Sequence, residues 1–104
     1  MRSDSTERNA ASGGAGRVST KAKLATELVK LGRVIALTRE RRGLKQQDVA
    51  FRLGLPASHL SKIEKGTRRL DVVELLQLAE VMGVDAADLI KEIESGLKAG
   101  GSSS

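Results

Sequence analysis

Apolar residues recur with helical spacing in five consecutive stretches of the chain. Leu24, Leu28, Leu31 and Ile35 form the first stripe, widened by Val34 and Leu37 and ended by Gly43. Its turns ahead of Glu27 are expected to fray, because Gly32 weakens the middle of this helix by ~1 kcal/mol relative to Ala. Val49, Ala50 and Leu53 predict a second helix from Gln46 to Leu53, and Leu60 with Ile63 a third from Ala57 to Lys65. Gly54 follows the second helix, Pro56 cannot extend it, and Gly66 ends the third. Asp71 and Glu74 have the spacing of an N-cap and its third-position partner, opening a fourth helix. That helix buries Val72, Leu75, Leu76, Ala79 and Met82, carries a second apolar edge at Leu78 and Val81, and stops at Gly83. Asp85 with Asp88 opens a fifth helix, in which Leu89, Ile90 and Ile93 keep the spacing to about Glu94.

The flanks have no such period. Residues 1–23 are rich in Ser, Gly, Ala and isolated charges and are expected to form a disordered basic arm, with Arg2, Arg8 and Arg17 in it; residues 96–104 form a flexible polar tail. The folding part, residues 24–95, is about 70 residues, a core small enough that association with a second copy is an expected source of stability. The chain contains no cysteine, so disulfides and thiolate chemistry are excluded. No apolar leader and no stretch of about 18 apolar residues is present, so a cytoplasmic protein without membrane contact is expected.

Charge adds a polarity that the total of +5 conceals. Arg39 to Arg69 holds nine Lys or Arg against three acids, a balance of +6, whereas Leu70 to Ser95 holds one Lys against seven acids, a balance of −6. A polyanion is steered to the first half, and the acidic half is left for protein contacts. Solvation of helix faces alone accounts for the amount of charge but not for its segregation. Catalysis has little to work with. His59 is the only histidine, so it has no second member for a metal site or a histidine-dependent triad, and the glycines 13, 14 and 16 follow no strand. No cofactor is expected. Phe51 is the sole aromatic, which argues against base stacking on single strands or RNA.

The stretch from Gln46 to Lys65 carries a specific likeness. Gln46, Ala50, Gly54 and Leu60 stand at the spacings of the helix-turn-helix of the phage-repressor, or Xre/Cro-like, family, and the match continues through Ser61, Ile63, Glu64 and Gly66 into Arg68, Arg69, Leu70, Asp71 and the run Leu75, Leu76, Leu78, Ala79. The chain resembles that family from about Leu28 to Leu89. The resemblance implies an all-α, five-helix lambda-repressor-like domain that binds double-stranded DNA with its third helix in the major groove. It implies a transcriptional regulator, usually a repressor, acting as a homodimer on half-sites about one helical turn apart. The rival reading is an antitoxin whose acidic half binds a protein partner, with DNA binding serving autoregulation.

Leu60 and Ile63 are committed to the core, which leaves Ala57, Ser58, Ser61, Lys62 and Lys65 outward; by resemblance, Ala57, Ser58, Ser61 and Lys62 are the positions from which the family reads base edges. Ala57 suits a thymine methyl, the serines several bases, and Lys62 guanine O6 and N7. Gln46 matches a family position that bonds a phosphate. Lys65, Thr67, Arg68 and Arg69 follow the third helix where the opposite strand passes, His59 is adjacent, and Lys45 is placed to reach a phosphate beside the second helix. In the family a Glu at the position of Glu64 pairs with an Arg in the first helix, which implies an Arg39–Glu64 pair here; a free surface Glu is the alternative. Two departures stand out: Lys45 and Pro56 occupy cap positions and offer no side-chain acceptor. The last helix often dimerises in this family, and Ile90, Ile93 and Leu97 are the expected interface, with ordinary core packing as the alternative.

Overall fold

The computed structural model describes residues 16–102. These form five helices, α1 (Gly16–Arg41), α2 (Gln46–Leu53), α3 (Ala57–Lys65), α4 (Val72–Met82) and α5 (Ala86–Ser102), with no strand among the described residues. Ile35 of α1, Val49 and Ala50 of α2, Leu60 of α3, Leu78, Ala79 and Met82 of α4 and Leu89 of α5 meet in one buried cluster. The stripes of α2 and α3 stand where their spacing predicts, but α4 is turned from its expected face: Leu78, the expected edge, is buried with Ala79 and Met82, whereas Val72 and Leu76 are exposed, as are Leu24 and Leu37 of α1, because the few core positions of a short helix go to the residues facing its neighbours. The short helices owe their stability to this shared burial more than to propensity.

The ends of the helices follow local chemistry. At α4 the carboxylate of Asp71 accepts from the amide of Glu74 at 2.7 Å, and the carboxylate of Glu74 accepts from the amide of Asp71 at 3.1 Å. At α5 one oxygen of Asp85 accepts from the amides of Ala87 and Asp88 at 2.8 and 3.1 Å. At α2 and α3 the cap residues Lys45 and Pro56 make no side-chain cap bond, as their chemistry dictates. Arg42 then donates to the carbonyl of Met82 at 3.0 Å, satisfying an orphan acceptor at the end of α4 from the end of α1.

Both outer helices run further than the apolar spacing alone indicates. α1 begins at Gly16, upstream of Leu24, and α5 reaches Ser102, beyond Glu94. The extension of α5 lies against α1: Lys30 donates to the carbonyl of Leu97 at 3.4 Å, and a Cβ on Gly96 would come within 2.9 Å of Val34 Cγ2. Once a helix is nucleated, each added residue contributes a further hydrogen bond, so a packed neighbour suffices to carry it past residues that would not start one. Arg2, Arg8, Gly13 and Gly14 lie outside the described residues.

Gly32 has a packing role that its cost to α1 conceals. It is buried where α1 crosses the end of α3, and a Cβ there would fall on the carbonyl oxygens of Ile63 and Glu64. Gly66, at φ +83°, ends α3 in the left-handed region, and a Cβ on it would lie 2.6 Å from Val29 Cα. The two glycines together set the closest approach of α1 to α3.

Candidate nucleic-acid interface

The turn between α2 and α3 places both helices on one side of the core. α3 buries Leu60 and Ile63 and leaves Ala57, Ser58, Lys62 and Lys65 exposed, with Ser61 half-buried. Around it, Lys45, Thr67, Arg68 and Arg69 are exposed, while Gln46 and His59 are half-buried. Thr67 sits on the end of α3, its hydroxyl donating to the carbonyl of Lys62 at 3.2 Å. The α2 and α3 caps supply no side-chain acceptor; the carbonyls of Lys45 and Pro56 take up the amides of Asp48 and His59, so only the first two amides of each helix are left to bonds from outside the fold.

Glu64 is the hub beneath this surface. Its carboxylate accepts from Arg39 Nε at 2.7 Å, from Arg39 Nη2 at 3.1 Å and from Gln46 Nε2 at 2.7 Å. Arg39 Nη1 also donates to the carbonyl of Leu44 at 2.8 Å, so this side chain joins α1, the turn before α2, and α3. The side chains of Arg39 and Glu64 are only 11% and 6% exposed, a bidentate pair out of reach of most solvent. The hydrogen bond to Glu64 is the main influence raising the Arg39 guanidinium above its ordinary range, against the opposing effect of burial. Sequence reasoning paired Arg39 with Glu64, and the two are brought together. It missed that Gln46 is tied into the same carboxylate, which holds its side chain against α3.

His59 is likewise engaged. Arg68 Nε donates to His59 Nε2 at 2.7 Å, and Glu74 Oε2 lies 3.6 Å from the same nitrogen. Two of the basic residues counted with the helix-turn-helix, Arg39 and Arg42, are spent on Glu64 and Met82 inside the fold. The residues expected at a dimer face separate: Ile90 is 47% exposed, whereas Ile93 packs against the core and Leu97 is half-buried. On α4, Val72, Val73 and Leu76 are also exposed, as is Phe51 on α2 at 84%. Gly32 is the other residue that escaped the sequence reading; standing two helical turns before Arg39, it shares the face that meets α3, and that spacing was the available signal.

No described helix is long and apolar enough to cross a membrane. Comparison with known proteins adds the lineage. The helix-turn-helix family model matches residues 35–89. The uncharacterised helix-turn-helix-type transcriptional regulator y4dJ of Sinorhizobium fredii is 35% identical over 60 residues, which are 58% of this chain and 78% of the relative. Among solved structures, the restriction-modification controller protein C.AhdI of Aeromonas hydrophila is similar at 33% identity and TM-score 0.58, covering 62% of this chain and 97% of its own. An XRE-family like protein of Pseudomonas syringae is similar at 31% identity and TM-score 0.60, over 78% and 94% of the two chains. The matched region holds the whole of α2, α3 and α4 and the Arg39–Glu64 pair, and with this agreement of motif, fold and relatives the chain belongs to the Xre/Cro-like helix-turn-helix family of DNA-binding transcriptional regulators.

Proposed function

We propose that this regulator binds duplex DNA as a homodimer, lays α3 of each protomer in successive major grooves, and represses by occupying a promoter. The observation that carries the reading is the division of α3. Its apolar residues are spent on the core, and Ala57, Ser58, Ser61 and Lys62 face outward within a rim of Lys45, Lys65, Arg68 and Arg69. In this reading the four residues on α3 meet base edges, Gln46 and Thr67 join the rim on the phosphates, and His59, expected there too, stands behind Arg68. Bidentate discrimination is scarce, with no Arg, Asn or Gln on the outward face of α3, so specificity per half-site is modest and DNA shape adds to it. The dimer forms through α5 with Ile90 as its exposed anchor, and the exposed Val72, Val73 and Leu76 extend the apolar surface available to a second copy.

Selection of bound duplexes from a random pool tests the reading directly, since a recovered site with two related half-sites about one turn apart is the expected result. On that site Lys62→Ala should lose far more affinity than on random duplex. Equal loss on both removes Lys62 from base reading, and a pool that yields no enriched sequence refutes sequence-specific binding.

A further inference from the structure

The contact between His59 and Arg68 has a protonation state written into it. Arginine only donates, so the bond from Arg68 Nε to His59 Nε2 at 2.7 Å requires a lone pair on that nitrogen and places the ring proton on Nδ1. A proton on Nε2 removes the acceptor, sets two cations against each other, and supplies a donor to Glu74 Oε2, already 3.6 Å away. The other oxygen of Glu74 is held by the amide of Asp71, so the waiting carboxylate is fixed in place. The charged groups around the ring are Arg68 from the loop after α3, Glu74 from α4 with Asp71 attached to it, and Lys62 one turn on in α3. Among the described residues, no charged side chain of α1 or α2 bonds to the ring.

We infer that His59 is a proton-sensitive positioning residue for Arg68. The neutral ring holds the guanidinium against the protein; the imidazolium passes to Glu74 and releases Arg68 toward a DNA phosphate. The sign follows: the protonated form is the one that binds DNA with the extra contact, so affinity is higher at low pH and falls as the ring loses its proton. The inference rests on the reading of Arg68 as a phosphate contact, and the test separates the two.

DNA affinity is measured by fluorescence anisotropy against salt concentration, at about pH 6 and about pH 8, for the full chain and for His59→Gln and Arg68→Ala. Glutamine keeps an acceptor for Arg68 but does not titrate. The unaltered protein should show a slope of log affinity on log salt steeper by about 1 per protomer at the lower pH, and both variants should show the same slope at the two pH values. A slope that does not change with pH in the unaltered protein, or a change that persists in His59→Gln, overturns the switch. If Arg68→Ala matches the unaltered slope at both pH values, the phosphate reading fails and the switch with it. A shallower Arg68→Ala slope, beside a pH-independent unaltered slope, retains the phosphate contact and removes the switch alone. Long-range proton–nitrogen correlation of the imidazole in the DNA-free protein gives a readout that needs no variant. The Nδ1–H tautomer is expected at about pH 8, and the Nε2–H tautomer overturns the proposal.

Discussion

Gly32→Ala sets helix propensity against packing, and the two predict opposite signs. In an unpacked helix the change should stabilise by ~1 kcal/mol. Here the new Cβ falls on two backbone carbonyl oxygens, those of Ile63 and Glu64, which no rotamer change can withdraw. Ordinary carbon–oxygen contacts of this kind lie at about 3.3–3.6 Å, so α1 and α3 must separate by roughly 1 Å. A gap of that size forfeits about a quarter to a half of the dispersion energy of each facing atom pair, and overpacking of a core contact costs ~1–3 kcal/mol. It also pulls on the Arg39–Glu64 bond at 2.7 Å, one face further along the same contact. With the propensity gain of ~1 kcal/mol set against the middle of that range, the net loss should be about 1 kcal/mol, or a fall in melting temperature of about 4–8 °C for a domain of this size. Thermal unfolding followed by far-ultraviolet circular dichroism reads it. Gly96→Ala is the control, because its Cβ meets only the end of the Val34 side chain, which can turn away. A melting temperature for Gly32→Ala equal to or above that of the unaltered protein refutes the packing argument.

Arg39→Met should cost ~3–5 kcal/mol in urea unfolding, because it leaves the Glu64 carboxylate buried with Gln46 as its remaining partner; a change below ~1 kcal/mol shows the pair to be structurally idle. Ile90→Glu should convert the proposed dimer to monomer in size-exclusion chromatography with light scattering while leaving the monomer folded, since Ile90 is exposed and Ile93 packs against the core; an unchanged dimer removes this part of α5 from the interface. If Lys45, Lys65, Arg68 and Arg69 are the phosphate set, the salt slope at about pH 6, where Arg68 is released, should be about −3.6 per protomer and about −7 for the proposed dimer. A dimer slope of about −3 or shallower means that half of the set or less reaches the backbone.

Much of the helical plan was legible because burial and capping are local signals. The stripe of α3 and the capping box of α4 need only a few consecutive residues, and both stand where the spacing put them. Arg39 and Glu64 were paired by family resemblance, not by spacing, since nothing in the chain between them indicates their contact. What the sequence hid is carried by the third dimension. Gly32 reads as a weak point in a helix until the end of α3 is seen against it, and Arg68 reads as a free cation until His59 is found beside it. The extents of α1 and α5 were obscure for a related reason. Gly96, Leu97 and Lys98 have no helical signature of their own, and their order depends on the Lys30 side chain and on a close approach to Val34.

Glu64 is where stability and DNA binding become one quantity. A free carboxylate amid Lys62, Lys65 and the neighbouring arginines would repel the phosphates that those cations attract. Bonded by both arms of Arg39 and by Gln46, it is neutralised on the protein side and ties the Gln46 side chain to α3. Two side chains on α1, Arg39 and the absent one at Gly32, thus fix where α3 stands and what its neighbour on α2 presents. If α3 meets DNA as proposed, loss of Arg39 sets an uncompensated negative charge beside the phosphates as well as loosening the fold, so it should weaken binding even at temperatures where the variant remains folded. A substitution that loosens the core away from this contact has no such second effect. The separation of those two outcomes distinguishes a clamp that merely stabilises α3 from one that also composes the surface α3 offers to DNA.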